Sequence, residues 1–216
     1  MSRPPASPET REQRINQLLD AAISLWLQNP ERIPSVAEVA NEAGLAKGTI
    51  YLYFKSKEDL LLAAHERHAE IFFSALIARA SKPERMSLDD MMRLTREYIV
   101  GVPAFLPLAT LVAGLMHKGV TPESAQAFDQ RMAKRLGTAG ELLCAHFPLQ
   151  DGIGGVRLLM RSYALILGLW QITGCCAPGH TDDEVAAMLR PDYLTELDAA
   201  LRALWQGTFN KEFPHA

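Results

Sequence analysis

Cysteine is scarce, with three in 216 residues. An odd count, with no CxxC pair and no spaced Cys/His set, argues against a disulfide framework and a structural zinc site. Excess positive charge is also lacking: 22 Lys and Arg face 25 Asp and Glu, for a formal net charge of −3. That argues against bulk non-specific nucleic-acid binding but leaves room for a local basic face, since nearby charges set the field at a phosphate. No hydrophobic run is long. The most apolar stretch, residues 162–176, has fifteen residues without a formal charge. A spanning helix needs roughly 20, so the stretch predicts a buried helix of a soluble bundle and no membrane partner. Residues 1–10 are rich in Pro and Ser without an apolar core, unlike a signal peptide. A cytoplasmic protein with reduced thiols is expected. There is no GxSxG, HExxH or Walker loop, and Gly152, Gly154 and Gly155 lack the preceding strand of a phosphate-binding loop. Neither an enzyme nor a resident cofactor or metal is expected. An all-α enzyme with dispersed active-site residues would leave the face described below, at residues 47–53, unexplained.

What is present is helical periodicity in a chain 48% hydrophobic and 22% charged, enough for one domain or two small ones. Residues 1–8, with Pro4, Pro5 and Pro8, read as a flexible arm, and Arg3 reads as part of a disordered tail. Ile15, Leu18, Leu19, Ala22, Leu25 and Trp26 follow a 3.6-residue period over 9–28. Ser35 followed by Glu38 forms a capping box opening a helix over 36–43, which Gly44 ends. A short helix over 47–53 follows, and Ser56 then caps a long one reaching about residue 79. Further helical segments are expected over 88–100 (capped by Ser87), 103–118, 121–146, 151–176, 184–189 and 192–207. No alternating strand is found. The fold class is all-α, with nine or ten helices.

The stretch 36–53 carries the chemistry. Small Ala40, turn-forming Gly44 and β-branched Ile50 have the arrangement of a helix-turn-helix unit, with Leu45 and Ile50 plugging the angle and Val39 and Ala43 beneath. The second helix carries Lys47, Gly48, Thr49, Tyr51 and Tyr53, a set with no use in a core. A major groove uses a Lys at guanine or phosphate, a Thr at a base edge or thymine methyl, and Tyr hydroxyls at phosphates. Gly48 costs about 1 kcal/mol of helix propensity relative to Ala, which makes sense where a partner must approach the backbone. Lys55 and Lys57 stand just before and within a helix N-terminus, where a phosphate suits them better than the helix dipole does. No acid lies among residues 47–57.

The run AxxAGLAKGTIYLYFKSKEDLL, together with Ile15, Ala21, Ala22, residues 33–36 and Ala40, resembles the DNA-binding domain of TetR-family transcriptional repressors over about 50 of the 216 residues. One departure is that many relatives have Phe near residues 26–27, where this chain has Trp26. The resemblance implies a helical homodimer. A flexible arm at 1–8 would precede a DNA-binding domain at 9–55 and a ligand-binding and dimerisation domain at 56–216. Lys47, Thr49, Tyr51 and Tyr53 would lie at bases or phosphates of double-stranded operator DNA. Ser35 and Lys57 would contact phosphates, Lys55 beside them, and Gly48 would permit close approach.

Independently of the family, the apolar character of residues 153–176 and 192–209 suggests a four-helix interface between two subunits. Candidate walls for a small apolar or aromatic inducer are Phe105, Met116, His117, Met160, Tyr163, Trp170 and Gln171. Cys175 and Cys176, with Cys144 and His146 as further donors, are read as incidental thiols rather than a redox or metal sensor. His65 and His68, near Glu66 and Glu70, are read as a solvated polar face. The expected function is a sequence-specific DNA-binding regulator, a repressor released by an inducer. The competing readings are an activator and a helical carrier or sensor of small apolar molecules that acts without DNA.

Overall fold

The computed structural model describes residues 8–29, 32–116, 119–174 and 191–209. Nine α-helices run through them: α1 (Pro8–Gln28), α2 (Val36–Glu42), α3 (Lys47–Ile50), α4 (Lys57–Ala80), α5 (Leu88–Thr95), α6 (Phe105–Leu115), α7 (Pro122–Leu143), α8 (Gly152–Gly174) and α9 (Tyr193–Phe209), with a π-helical turn at Arg96–Val100. No strand occurs among the described residues. The arm at 1–7, His117, Cys175, Cys176 and the segment 184–189 lie outside them.

Short polar side chains start most of these helices. The Oγ of Ser35, Ser56 and Ser87 accepts from the N–H of Glu38, Asp59 and Asp90, at 3.3, 2.9 and 3.1 Å. Thr121, Asp151 and Asp192 serve α7, α8 and α9 in the same way, through Ser124, Gly154 and Thr195. Each satisfies a backbone donor that the helix itself cannot.

The expected helix over 88–100 is present, capped by Ser87, but it changes type partway. α5 stops at Thr95 and the next turn is π-helical. The Gly101 N–H reaches back five residues to the Arg96 carbonyl at 2.7 Å. A Cβ at Gly101 would stand 2.9 Å from that oxygen, so glycine lets the wide turn close.

The chain divides into two compact units, residues 1–68 with 107–129, and residues 69–106 with 130–216. The first has a core of Leu18, Ala22, Trp26, Val39, Ala40, Ile50, Leu60, Leu61 and Leu108, all 3% exposed or less. Gln17 on α1 donates to the Ala43 carbonyl at 2.7 Å, and Arg67 on α4 pairs with Asp20 on α1 at 2.7 Å. His65 and Glu66 are buried in this unit and His68 is half-buried, so the expectation of a solvated face there is corrected. Leu62 and Ala64 of the same helix are buried as well. Burial, and then neighbouring His68, push the His65 imidazole down to about 4, which keeps it neutral at physiological pH.

The second unit is built around Trp205, which is fully buried. Its indole N–H donates to Ser162 Oγ at 2.9 Å, and the Phe147 ring packs on it edge-to-face at 5.0 Å. His146 is also buried: Nδ1 accepts from the Met86 N–H at 3.1 Å and Nε2 donates to the Ala80 carbonyl at 2.7 Å. Both ring nitrogens are thereby occupied, so His146 staples the chain instead of offering a metal donor. The Sγ of Cys144 donates to the Gly140 carbonyl at 3.3 Å.

Within the same unit α7 and α8 cross backbone to backbone. A Cβ on Gly140 would stand 2.6 Å from the Gly152 carbonyl oxygen, and one on Gly155 would stand 2.5 Å from the Gly140 oxygen. The glycine run of α8 is therefore a helix-crossing device. The helix has 23 residues because it includes Arg157 and Arg161 ahead of the apolar run. By length and composition alone, Gly152–Thr173 is enough to cross a membrane.

Candidate nucleic-acid interface

Ser35 and Glu38 form a reciprocal capping box, the Ser35 N–H donating to Glu38 Oε2 at 2.9 Å. Arg32 grips the same carboxylate with both guanidinium nitrogens. That grip, followed by the Ser35 bonds, holds the Glu38 carboxyl well below the usual range. At the other end α2 closes in a Schellman turn. Leu45 N–H donates to Ala40 O at 2.8 Å and Gly44 N–H to Asn41 O at 3.0 Å. Gly44 sits at φ +63°, left-handed backbone that favours glycine. Both ends of α2 are fixed, and so is the direction in which the chain enters α3.

Ile50 and Phe54 anchor α3 and the turn after it, at 1% and 9% exposed. The regular helix spans only Lys47–Ile50, shorter than the expected 47–53. Tighter turns continue it, with Leu52 N–H to Thr49 O at 3.2 Å and Tyr53 N–H to Ile50 O at 2.9 Å. The Phe54 N–H then returns to the Ile50 carbonyl at 2.9 Å. The spiral therefore runs on to Phe54, and the intended face survives the change of pitch.

That face is open. Lys47, Gly48, Tyr51 and Leu52 are exposed, and Thr49 and Tyr53 half-buried. The side chains of Lys47, Thr49, Tyr51 and Tyr53 make no hydrogen bond or ion pair among the described residues. Gly48 has no positive φ, and a Cβ there would meet nothing within 4 Å, so the fold itself has no need of glycine at this place. Lys55 and Lys57 are exposed and half-buried respectively and, unlike Lys47, have carboxylate partners. Lys55 pairs with Glu123 of α7 at 3.5 Å and Lys57 with Glu58 at 3.9 Å. Such surface pairs contribute about 1 kcal/mol or less and are screened by salt, so a phosphate can displace them. Ser35 is exposed at the start of α2.

Sequence reasoning missed Leu52. At 75% exposed it exceeds Tyr51 at 53%. The available signal was its spacing four residues after Gly48, on the same helical face.

The described inducer candidates fall in both units. Phe105 is buried in the second unit. Met116 is half-buried in the first. On α8, Met160, Tyr163 and Gln171 are exposed and Trp170 is half-buried. Sequence reasoning had selected suitable residue types, but periodicity alone could not say which side of α8 the second unit would cover. A groove of about 540 Å³ lies instead along Asp89, Met92, Arg93, Arg96, Glu97 and Arg202. Its arginines are paired, Arg202 with Asp89 at 2.6 Å, Arg93 with Asp90 at 2.6 Å and Arg96 with Asp198.

A capped helix, a left-handed glycine turn and a short helix with an unengaged polar face define a helix-turn-helix protein. Two family models match the chain: "Bacterial regulatory proteins, tetR family" over residues 18–64, and "Tetracyclin repressor-like, C-terminal domain" over residues 66–211. The chain belongs to the tetR family, a family of DNA-binding transcriptional regulators. It is 47% identical over 47 residues to the fatty acid metabolism regulator protein of Bacillus subtilis, a match covering 22% of this chain and 24% of that one. It is 31% identical over 84 residues to the HTH-type transcriptional activator FasR of Mycolicibacterium smegmatis, covering 39% and 36%. These matches span about a quarter and a third of the relatives' own lengths. Among solved structures, the fold is that of the fatty acid degradation regulator FadR from Bacillus halodurans, with a TM-score of 0.58 and 20% identity over 92% of this chain and 99% of that one. It is likewise that of SmeT, the repressor of a Stenotrophomonas maltophilia multidrug efflux pump, with a TM-score of 0.53 and 20% identity over 93% and 96%.

Proposed function

We propose that the chain is a homodimeric transcriptional repressor of the cytoplasm, whose 9–55 region holds operator DNA and whose 56–216 region dimerises and takes a small apolar or aromatic inducer. The observation that carries this reading is the 47–53 face. Its backbone is fixed by buried Ile50 and Phe54, while its polar side chains have no work inside the fold. Each subunit would set this face in a major groove, with Ser35, Lys55 and Lys57 toward phosphates and half-sites roughly 34–36 Å apart. Inducer binding would favour a subunit arrangement that mismatches this spacing, weakening the complex by its differential affinity for the two states. Acyl chains are the first inducers to assay, because one relative is named as a fatty acid metabolism regulator. That match of 47 residues is too short to span the C-terminal domain, so it selects a compound to test and nothing more.

Fluorescence anisotropy with DNA from upstream of the chain's own gene, against scrambled DNA at two salt concentrations, tests the reading. Saturable, sequence-dependent binding that weakens steeply with salt is expected. Tyr51→Ala should abolish it and leave the dimer intact. If neither this DNA nor selection from random DNA yields a preferred site, while apolar ligands still bind, the chain is a carrier or sensor. One relative is named an activator, and in vitro transcription from the bound promoter separates the two signs of regulation.

A further inference from the structure

The proposed DNA face contains one large side chain that can neither donate nor accept a hydrogen bond. Leu52 is 75% exposed. Isolated exposed leucines are ordinary, but this one stands on a face assembled by the fold. Its backbone is tied by its own N–H to Thr49, and it lies between Tyr51 and Tyr53 and four residues beyond Gly48. Ile50 and Phe54 on either side turn inward, so Leu52 has no course but outward, along with Tyr51. With Gly48 bare and nothing near it, a duplex edge can come up against this side chain.

Each base edge in the major groove shows hydrogen-bonding groups, and one base also shows an apolar group, the C5 methyl of thymine. Against a cytosine amine, Leu52 would strip water from a donor and return nothing. Against a thymine methyl, two apolar surfaces lose water together. Resting on the DNA-binding reading above, we infer that Leu52 is a specificity-determining residue that selects thymine at one position of each operator half-site through its methyl group.

Selection from a randomised duplex library with the full-length protein supplies the operator. Each thymine is then replaced in both half-sites by deoxyuracil, which removes the methyl and keeps the pairing. Affinities are measured for the wild type and Leu52→Ala. One thymine position is expected whose replacement weakens the wild type by about threefold to tenfold, the scale of one or two buried carbon groups, and leaves Leu52→Ala unchanged. Leu52→Gln should move the preferred base at that position away from thymine, and thermal melts should match the wild type for both variants, because the side chain lies outside the core. No methyl-dependent position, or an equal loss in wild type and Leu52→Ala, overturns the assignment while leaving DNA binding in place. A wild type that selects no sequence overturns the DNA-binding reading itself.

Discussion

Of two glycines four residues apart, the fold requires one and not the other. Gly44 is held at φ +63° by the Schellman turn, and a side chain there is strained whatever the space. Gly48 lies within α3 with open space where its Cβ would be. Replacing Gly48 by Ala should therefore raise chain stability by up to about 1 kcal/mol through helix propensity, read by urea denaturation. The same change should weaken operator binding at least tenfold, because a methyl would stand between the backbone and the duplex. A variant that is both more stable and fully competent on DNA would remove close approach as the reason for this glycine. The Gly44 turn was legible in the sequence because a capping box, a small residue and a glycine fall at fixed offsets. The pairing of Lys55 with Glu123 was not, since nothing local relates residues 68 positions apart. Nor was the burial of His65 and Glu66, whose types usually mark the surface.

Helix starts were legible for the same local reason: Ser35, Ser56, Ser87 and Thr121 cap their own chains within three residues. Where packing between elements decides, the sequence was silent. The π turn after α5 depends on Gly101 facing the Arg96 carbonyl. The crossing of α7 and α8 depends on Gly140 and Gly155 meeting from opposite helices, a relation that glycine counting along one helix cannot show. Gly155→Ala gains roughly 1 kcal/mol of helix propensity but drives a Cβ to 2.5 Å from the Gly140 carbonyl oxygen. Backbone cannot rotate away as a flexible side chain can, so overpacking of about 1–3 kcal/mol should win. A net loss of stability is expected in chemical denaturation. Gly137→Ala, on α7 with nothing within 4 Å, should instead be neutral or stabilising. Equal effects at both glycines would mean that the crossing tolerates separation of the helices.

At the scale of the whole molecule, α8 exposes several large apolar side chains. Ile153, Met160 and Ile172 are 62%, 57% and 65% exposed, with the exposed Arg157 and Arg161 between them along the helix. The buried side of α8 packs against α9, where Tyr193 donates to the Ile166 carbonyl at 3.2 Å. Exposed apolar patches mark interaction surfaces. A self-complementary patch also suits a two-fold pair, each copy covering the other's. A stable contact needs about 1,200–2,000 Å² of total buried surface, which two helices from each copy can supply. Ile172→Glu would place a carboxylate inside that contact, and among the described residues Ile172 stands outside the core, so the fold of each copy should stay as it is. Sedimentation should therefore show a folded monomer at concentrations where the wild type is a dimer. Operator affinity should fall by about a hundredfold or more, because a monomer holds one half-site and loses the effective concentration that a tethered second reading face provides. A variant that remains dimeric and binds the operator normally would place the interface elsewhere and leave the apolar side of α8 to a different partner.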